Sequence, residues 1–269
     1  SIEMEAYAAD NTIDSGYVFV GRHAGSEALI VRLDSLSNII WSKTMIGTPG
    51  QAKFTDVIAT SDSGYVAAGI NGMEVLCIKF NQYGDTIWTQ SYDTGASEGA
   101  YVTPTYDSNF VLTYATSQNS ILSVVKIDQG GNTIWSSKLD GVATVPRTIA
   151  ESTDSTLYIG GAIGWSTGVI LKLNYDGQLL WAKELDLGEV QDVEFMADSV
   201  FIMCADYSWG TPGVIKMDTA ANISWAKRYP GYIDNSGLNL FMRSYLKEDA
   251  TIIFSAPTLM VGANVINQI

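Results

Sequence analysis

The chain has 269 residues, 46% of them hydrophobic, enough for a large core in one big domain or two small ones. Its 15 Lys and Arg face 29 Asp and Glu, a formal charge of −14. That field repels phosphate backbones and anionic lipid, which argues against nucleic-acid binding and membrane adsorption. It suits plain solvation, a cationic partner or a divalent ion.

No apolar run is long enough to span a membrane, and the opening SIEMEAYAAD lacks the basic start and apolar middle of a signal peptide. A removed leader and excision from a longer chain both stay open. Cys77 and Cys204 sit in the apolar runs MEVLCIKF and VFIMCAD and read as buried free thiols.

Repeats organise the rest. In the first, Asp14 stands three residues before Tyr17 and the run YVFVG; Arg32 ends a second apolar run, and Trp41 follows nine residues later. The second has Asp62, Tyr65, Lys79 and Trp88, the third Asp107, Phe110, Lys126 and Trp135. The fourth has Asp154, Leu157, Lys172 and Trp181, the fifth Asp198, Phe201, Lys216 and Trp225. The tryptophans are 47, 47, 46 and 44 residues apart. A sixth copy opens with Asp249 before Ile252 and aligns Asn267 with the basic position, and the sequence stops before a sixth Trp.

Each repeat resolves into four strands. In the second they are about FTDVIAT, YVAAG, MEVLCIKF and DTIWTQSY, joined by the turns SDSG and NQYG. The runs after each Asp are short, apolar and often β-branched, as in strands buried on both faces. Asp in the first turn caps backbone N–H groups, and Gly in the second supplies a positive φ. No segment holds a helical apolar stripe over three turns.

Four antiparallel strands every 40 to 50 residues predict an all-β, six-bladed β-propeller, its last blade lacking the outer strand. The expected domain is single, 1–269, with blades near 1–47, 48–95, 96–141, 142–188, 189–231 and 232–269. Trp41, Trp88, Trp135, Trp181 and Trp225 are cast as blade-docking residues that fill the gap to a neighbouring blade and place the indole N–H on a backbone carbonyl. The sixth blade could lack a strand, continue in a longer chain or borrow a strand from a partner; we expect the longer chain.

The pattern D-x-G-Y…K-x-D-x-x-G-N-x-x-W, seen in Asp62, Gly64 and Tyr65 and in Lys126, Asp128, Gly131, Asn132 and Trp135, resembles the propeller repeats of secreted and cell-surface bacterial and archaeal proteins. The resemblance covers essentially the whole chain. It implies a binding or scaffolding module outside the cell, on a cell surface or a virus particle. A looser similarity links the outer strands to quinoprotein-type propellers, but no vicinal Cys pair grips a cofactor here.

Variable loops after the second strand and between blades are the expected recognition face. Trp165 and Trp209 occupy the same loop position in blades four and five, with Tyr207 and Tyr232 expected nearby. Such aromatics stack on sugar rings, anchor a protein partner, or simply cover a neighbouring loop. His23 is the only histidine and has no zinc-ligand or triad companions, and the repeated Asp residues lie in separate turns and suit capping better than calcium. The expectation is therefore a non-enzymatic structural or protein-interaction module with no cofactor and no metal. A carbohydrate-binding propeller is the alternative, and a hydrolase or lyase with its site in the central channel is the second.

Overall fold

A computed structural model describes residues 4–23, 27–47, 51–93, 96–116, 121–140, 144–164, 167–205, 212–228, 243–246, 252–255 and 265–266. Every regular element among them is a strand. Sheet one is β1 (Met4–Asn11), β2 (Tyr17–His23), β3 (Glu27–Leu33) and β4 (Ile39–Ile46). Sheet two is β5 (Ala52–Ala59), β6 (Tyr65–Asn71), β7 (Glu74–Phe80) and β8 (Thr86–Asp93). Sheet three is β9 (Ala96–Pro104), β10 (Phe110–Thr116), β11 (Leu122–Ile127) and β12 (Thr133–Leu139). Sheet four is β13 (Thr144–Glu151), β14 (Leu157–Ile163), β15 (Thr167–Leu173) and β16 (Leu179–Leu185). Sheet five is β17 (Glu189–Met196), β18 (Ser199–Ala205), β19 (Pro212–Asp218) and β20 (Ile223–Arg228). These five run in sequence order and antiparallel. A further sheet of three short strands follows: β21 (Arg243–Leu246), β22 (Ile252–Ser255) and β23 (Val265–Ile266). The chain divides into two compact units, Ser1–Pro146 and Arg147–Ile269, with the boundary inside β13.

Alternation along the middle strands explains the stacking. In β6, Tyr65 and Ala67 join a core with Val18, Val20 and Ile30 of sheet one, while Val66, Ala68 and Ile70 join one with Val102, Leu112 and Val125 of sheet three. One strand with period 2 thus supplies two cores, and a single sheet would leave both faces wet. In the second unit, Tyr158 and Ile170 of sheet four pack with Val190, Val200, Ile202 and Ile215 of sheet five.

The first strands of adjacent sheets are also tied by polar groups. Thr55 Oγ1 donates to the Ala100 carbonyl at 2.7 Å and accepts from its N–H at 3.0 Å; Asp56 Oδ2 accepts from Val102 N–H at 3.0 Å. Asp10 Oδ2 takes the Ala59 N–H at 2.8 Å. In the second unit Arg147 Nε reaches Glu189 Oε2 at 3.3 Å, and Thr148 Oγ1 reaches Asp192 Oδ1 at 3.3 Å. The pairing register slips at Tyr7, Thr55 and Gln191, one bulge in the first strand of each of these sheets. A bulge of this kind re-aims its side chain.

The outer hairpin of each sheet is closed by a complementary pair of residues. Asp34 Oδ1 accepts from Leu36 and Asn38 N–H at 2.9 and 2.8 Å, and Asn38 Nδ2 returns a bond to Asp34 Oδ2 at 2.9 Å. Asp128 with Asn132 and Asp218 with Asn222 repeat this. In the second hairpin acid and amide trade places: Asn81 caps, and its Nδ2 donates to Asp85 Oδ2 at 3.2 Å.

The turn residue at positive φ is Gly84, Gly131 or Gly177 in sheets two to four, but Ser37 in sheet one and Ala221 in sheet five. At Gly131 there is a second demand. A Cβ there would lie 2.9 Å from Trp88 Cδ2, because the indole of sheet two rests on this turn of sheet three. Gly131→Ala is therefore expected to lose about 2 kcal/mol in urea denaturation, from φ strain plus the clash. Ala221→Gly, which relieves a φ of 67°, is expected to gain up to about 1 kcal/mol.

Candidate functional site

Within each four-stranded sheet the first-to-second and third-to-fourth turns lie at the same end, and chemistry concentrates there. In the first turn, Ser15 N–H bonds the Thr12 carbonyl at 2.9 Å, and the same closure recurs at Ser63, Ser108 and Ser155. These four serines carry φ of 60–63°, so the left-handed position falls on the residue after Asp and not on the Gly that follows in sheets one and two. The hydroxyl of Thr12, Thr60, Thr105 or Ser152 donates to the Asp two residues on.

The same Asp answers the basic residue that ends the third strand. Lys79 Nζ lies 2.8 Å from Asp62 Oδ2, Lys126 Nζ 2.8 Å from Asp107 Oδ2, and Lys172 Nζ 3.5 Å from Asp154 Oδ2; Arg32 Nη2 contacts Asp14 Oδ1. The four cations are 1–9% exposed and their carboxylates 31–62%. Arg32, Lys79 and Lys172 each make a further contact beyond the ion pair. Arg32 Nε donates to Tyr65 Oη of sheet two at 2.8 Å, and Lys79 Nζ stands 5.5 Å from the Phe110 ring centroid of sheet three. Lys172 Nζ stands 5.2 Å from the Tyr158 ring of its own sheet and 3.5 Å from the Thr219 carbonyl of sheet five.

Sheet five departs from this scheme. Met196 pairs directly with Ser199 across a two-residue turn, so Phe201 comes opposite Lys216, a row that Val66 and Tyr158 hold opposite Lys79 and Lys172. The shorter turn moves Asp198 out of step with the Asp of the other sheets. Lys216 is half-buried, 5.5 Å from the Phe201 ring. The match of Asp198 and Phe201 to the other repeats, read from sequence spacing, is off by one in the ladder.

Electrostatics follow from these contacts. The Thr12 hydroxyl, with Arg32 and the Gly16 N–H, holds the Asp14 carboxyl below its ordinary range. At Asp62, partial burial works to raise the value and is outweighed by bonds from Lys79, Thr60 and the Gly64 N–H. At Asp154 burial is likewise outweighed, by the Ser152 and Thr156 hydroxyls, the Thr156 N–H and Lys172, and the value falls to about 2. Burial pushes the Cys77 and Cys204 thiols up to about 12, so both are protonated; both are free.

A cleft of about 270 Å³ opens on this face between sheets one and two. Arg32 and Tyr65 form its floor, Asp14 and Thr60 one side, and Ile13, Ile40, Trp41 and Tyr83 the apolar walls. The docking tryptophans are half-buried. Trp41 Nε1 donates to the Gln82 carbonyl at 3.0 Å and Trp88 Nε1 to the Gln129 carbonyl at 2.9 Å, each in the next sheet's outer turn. Trp181 and Trp225 pack edge-on against Tyr158 and Phe201, and Trp135 sits in β12, also half-buried.

Trp165, Tyr207, Trp209 and Tyr232 lie outside the described residues, as does Asp249. His23 ends β2, its Nδ1 3.6 Å from Glu27 Oε2. Neither the cleft nor the pairing of each turn Asp with its lysine was singled out from the sequence. The signal was there: Asp and the basic residue recur together 17 to 19 residues apart.

No protein-family model matches the sequence, and no curated protein does. Solved structures do share its fold. A Kuenenia stuttgartiensis hydrazine synthase is 13% identical, over 93% of this chain and 73% of that one, with a TM-score of 0.67. The Dos1 propeller is 7% identical over 94% and 64%, with a TM-score of 0.63. The WD40 β-propeller domain of Doa1 is 10% identical over 94% and 76%, with a TM-score of 0.61. At these identities the likeness is one of fold, and the fold is that of the β-propellers.

Removing the carboxylate from a pair strands a buried ammonium. Asp107→Asn is expected to cost about 2–4 kcal/mol, Lys126→Met less than about 1.5, and the double variant little more than Lys126→Met, in urea denaturation. Asp14, Asp62 and Asp154 titrate below their unfolded values. The stability they contribute is complete above the unfolded pKa near 4 and is lost as pH falls through the folded values, towards about 2 for Asp154. The thermal midpoint is expected to drop steeply between about pH 4 and 2, and less steeply in Asp62→Asn, whose pair is already broken.

Proposed function

We propose that residues 1–269 form one six-bladed propeller, with blades bounded as the repeat predicts, and that it is a non-enzymatic interaction module working outside the cell. The order β21-β22-β23 among the described residues supports a sixth blade. The repeat's resemblance to secreted and surface propellers supports the location.

The observation that carries the interaction reading is on the tight-turn face. Arg32, Lys79 and Lys126 there are each paired with a turn carboxylate, while Ile13, Leu36, Tyr83 and Tyr106 project from turn tips of the first unit at 65–81% exposure. Large apolar side chains held out on rigid turns are what a protein interface buries. The buried thiols offer no nucleophile.

A photoreactive benzophenone side chain in place of Tyr83 is expected to cross-link a protein from an extract of the source cells, and the same group in place of Leu179, on an outer strand, is not. Equal cross-linking from both positions sinks the reading. A glycan-array signal that disappears in Trp165→Ala/Trp209→Ala decides for carbohydrate recognition instead.

A further inference from the structure

Resting on that interaction reading, we propose that the tight-turn face of the first unit docks an extended segment of a partner protein that carries Lys or Arg beside a large apolar residue, with the apolar side chain seated in the cleft between sheets one and two. Three observations converge on this chemistry.

The first is the orientation of the ion pairs. Arg32, Lys79 and Lys126 lie beneath the face at 4%, 2% and 1% exposure, and their partners Asp14, Asp62 and Asp107 stand outward at 62%, 52% and 31%. Each pair is neutral in sum, yet each is a dipole pointing the same way. An approaching ligand meets carboxylate ends, while the compensating cations are set back under protein. The caps Asp34 and Asp128, half-buried, add two more carboxylates on the outer turns. The whole chain, at −14, reinforces the sign. A cationic segment is therefore drawn in and an acidic one repelled.

The second is the apolar rim. Ile13, Ile40 and Tyr83 border the cleft and are exposed, and Trp41 forms a wall held in place by its bond to Gln82. Aromatic walls accept an aliphatic side chain or the stem of Arg, and their faces attract a cation. The third is size. At about 270 Å³ the cleft is smaller than the ~300–1,000 Å³ typical of drug-sized ligands, and fits one large side chain. Interfaces commonly centre on one anchor residue in such a pocket, with charges around it.

The test uses the whole chain and three labelled dodecapeptides, repeats of Arg-Leu-Gly, Glu-Leu-Gly and Arg-Ser-Gly, read by fluorescence anisotropy. The Arg-Leu-Gly peptide is expected to bind at least about tenfold more tightly than either other peptide, and to weaken as salt rises. Ile13→Ser/Tyr83→Ser keeps the charge, alters only exposed side chains, and is expected to lose about tenfold in affinity for Arg-Leu-Gly. Equal binding of Arg-Leu-Gly and Glu-Leu-Gly overturns the proposal. So does unchanged binding in the double variant, which would mean diffuse attraction to net charge. The cross-link from position 83 reports separately on the broader reading: a partner captured through an acidic or uncharged segment leaves the interaction module standing and removes this proposal.

Discussion

A cation under the surface of a packed sheet pair must keep a carboxylate within reach, and in four of these sheets that requirement shapes the turn face. Lys126 is 1% exposed, and an unpaired charge in that position is costly by several kcal/mol. The counter-ion comes from the turn between the first two strands, so turn length is constrained: Asp107 must arrive beside a lysine on the third strand. The rest of the turn then serves the carboxylate. A Thr or Ser two residues earlier donates to it, and the next residue, a serine, accepts a left-handed φ near 60° so that the hairpin closes. Sheet five shows the converse. Its turn is two residues long, Asp198 is out of step, and Lys216 is only half-buried against Phe201.

The second organising feature is that contacts point forward along the chain. Trp41 and Trp88 bond and rest on the outer turn of the following sheet, Arg32 donates to Tyr65 of the following sheet, and Thr55 and Asp56 clasp the following first strand. A four-stranded sheet with two apolar faces has no independent core, so each repeat is stable only against its neighbours. This is why Gly131 is needed in sheet three: the space beside it belongs to Trp88 of sheet two.

Much of this was legible in the sequence. The Trp spacing, the apolar runs and the turn residues specified strands and their order, because a period of two and turn chemistry are local properties. The exchange of acid and amide between Asp34…Asn38 and Asn81…Asp85 could be read as a pair, since both ends lie in one five-residue turn. The link between Asp62 and Lys79 was harder. Each had a sufficient local reading, as cap and as strand end, and only the strand register brings them together. The cleft was not legible at all, because its floor and walls come from two repeats and its openness depends on how Arg32, Tyr65 and Trp41 pack.

The sequence by itself determined the repeat, the all-β class, the four-strand unit and the burial of both thiols, since hydrophobic alternation and turn preference act over a few residues. Tertiary structure alone decided that the repeat's acid and base form one oriented pair with the charge order cation-in, carboxylate-out, that Asp198 is out of register, and that the turn face carries an apolar-rimmed cleft. Those outcomes depend on which residues lie opposite one another across strands and sheets. Side-chain electrostatics and close packing act at distances of a few ångströms in space, whatever the separation along the chain.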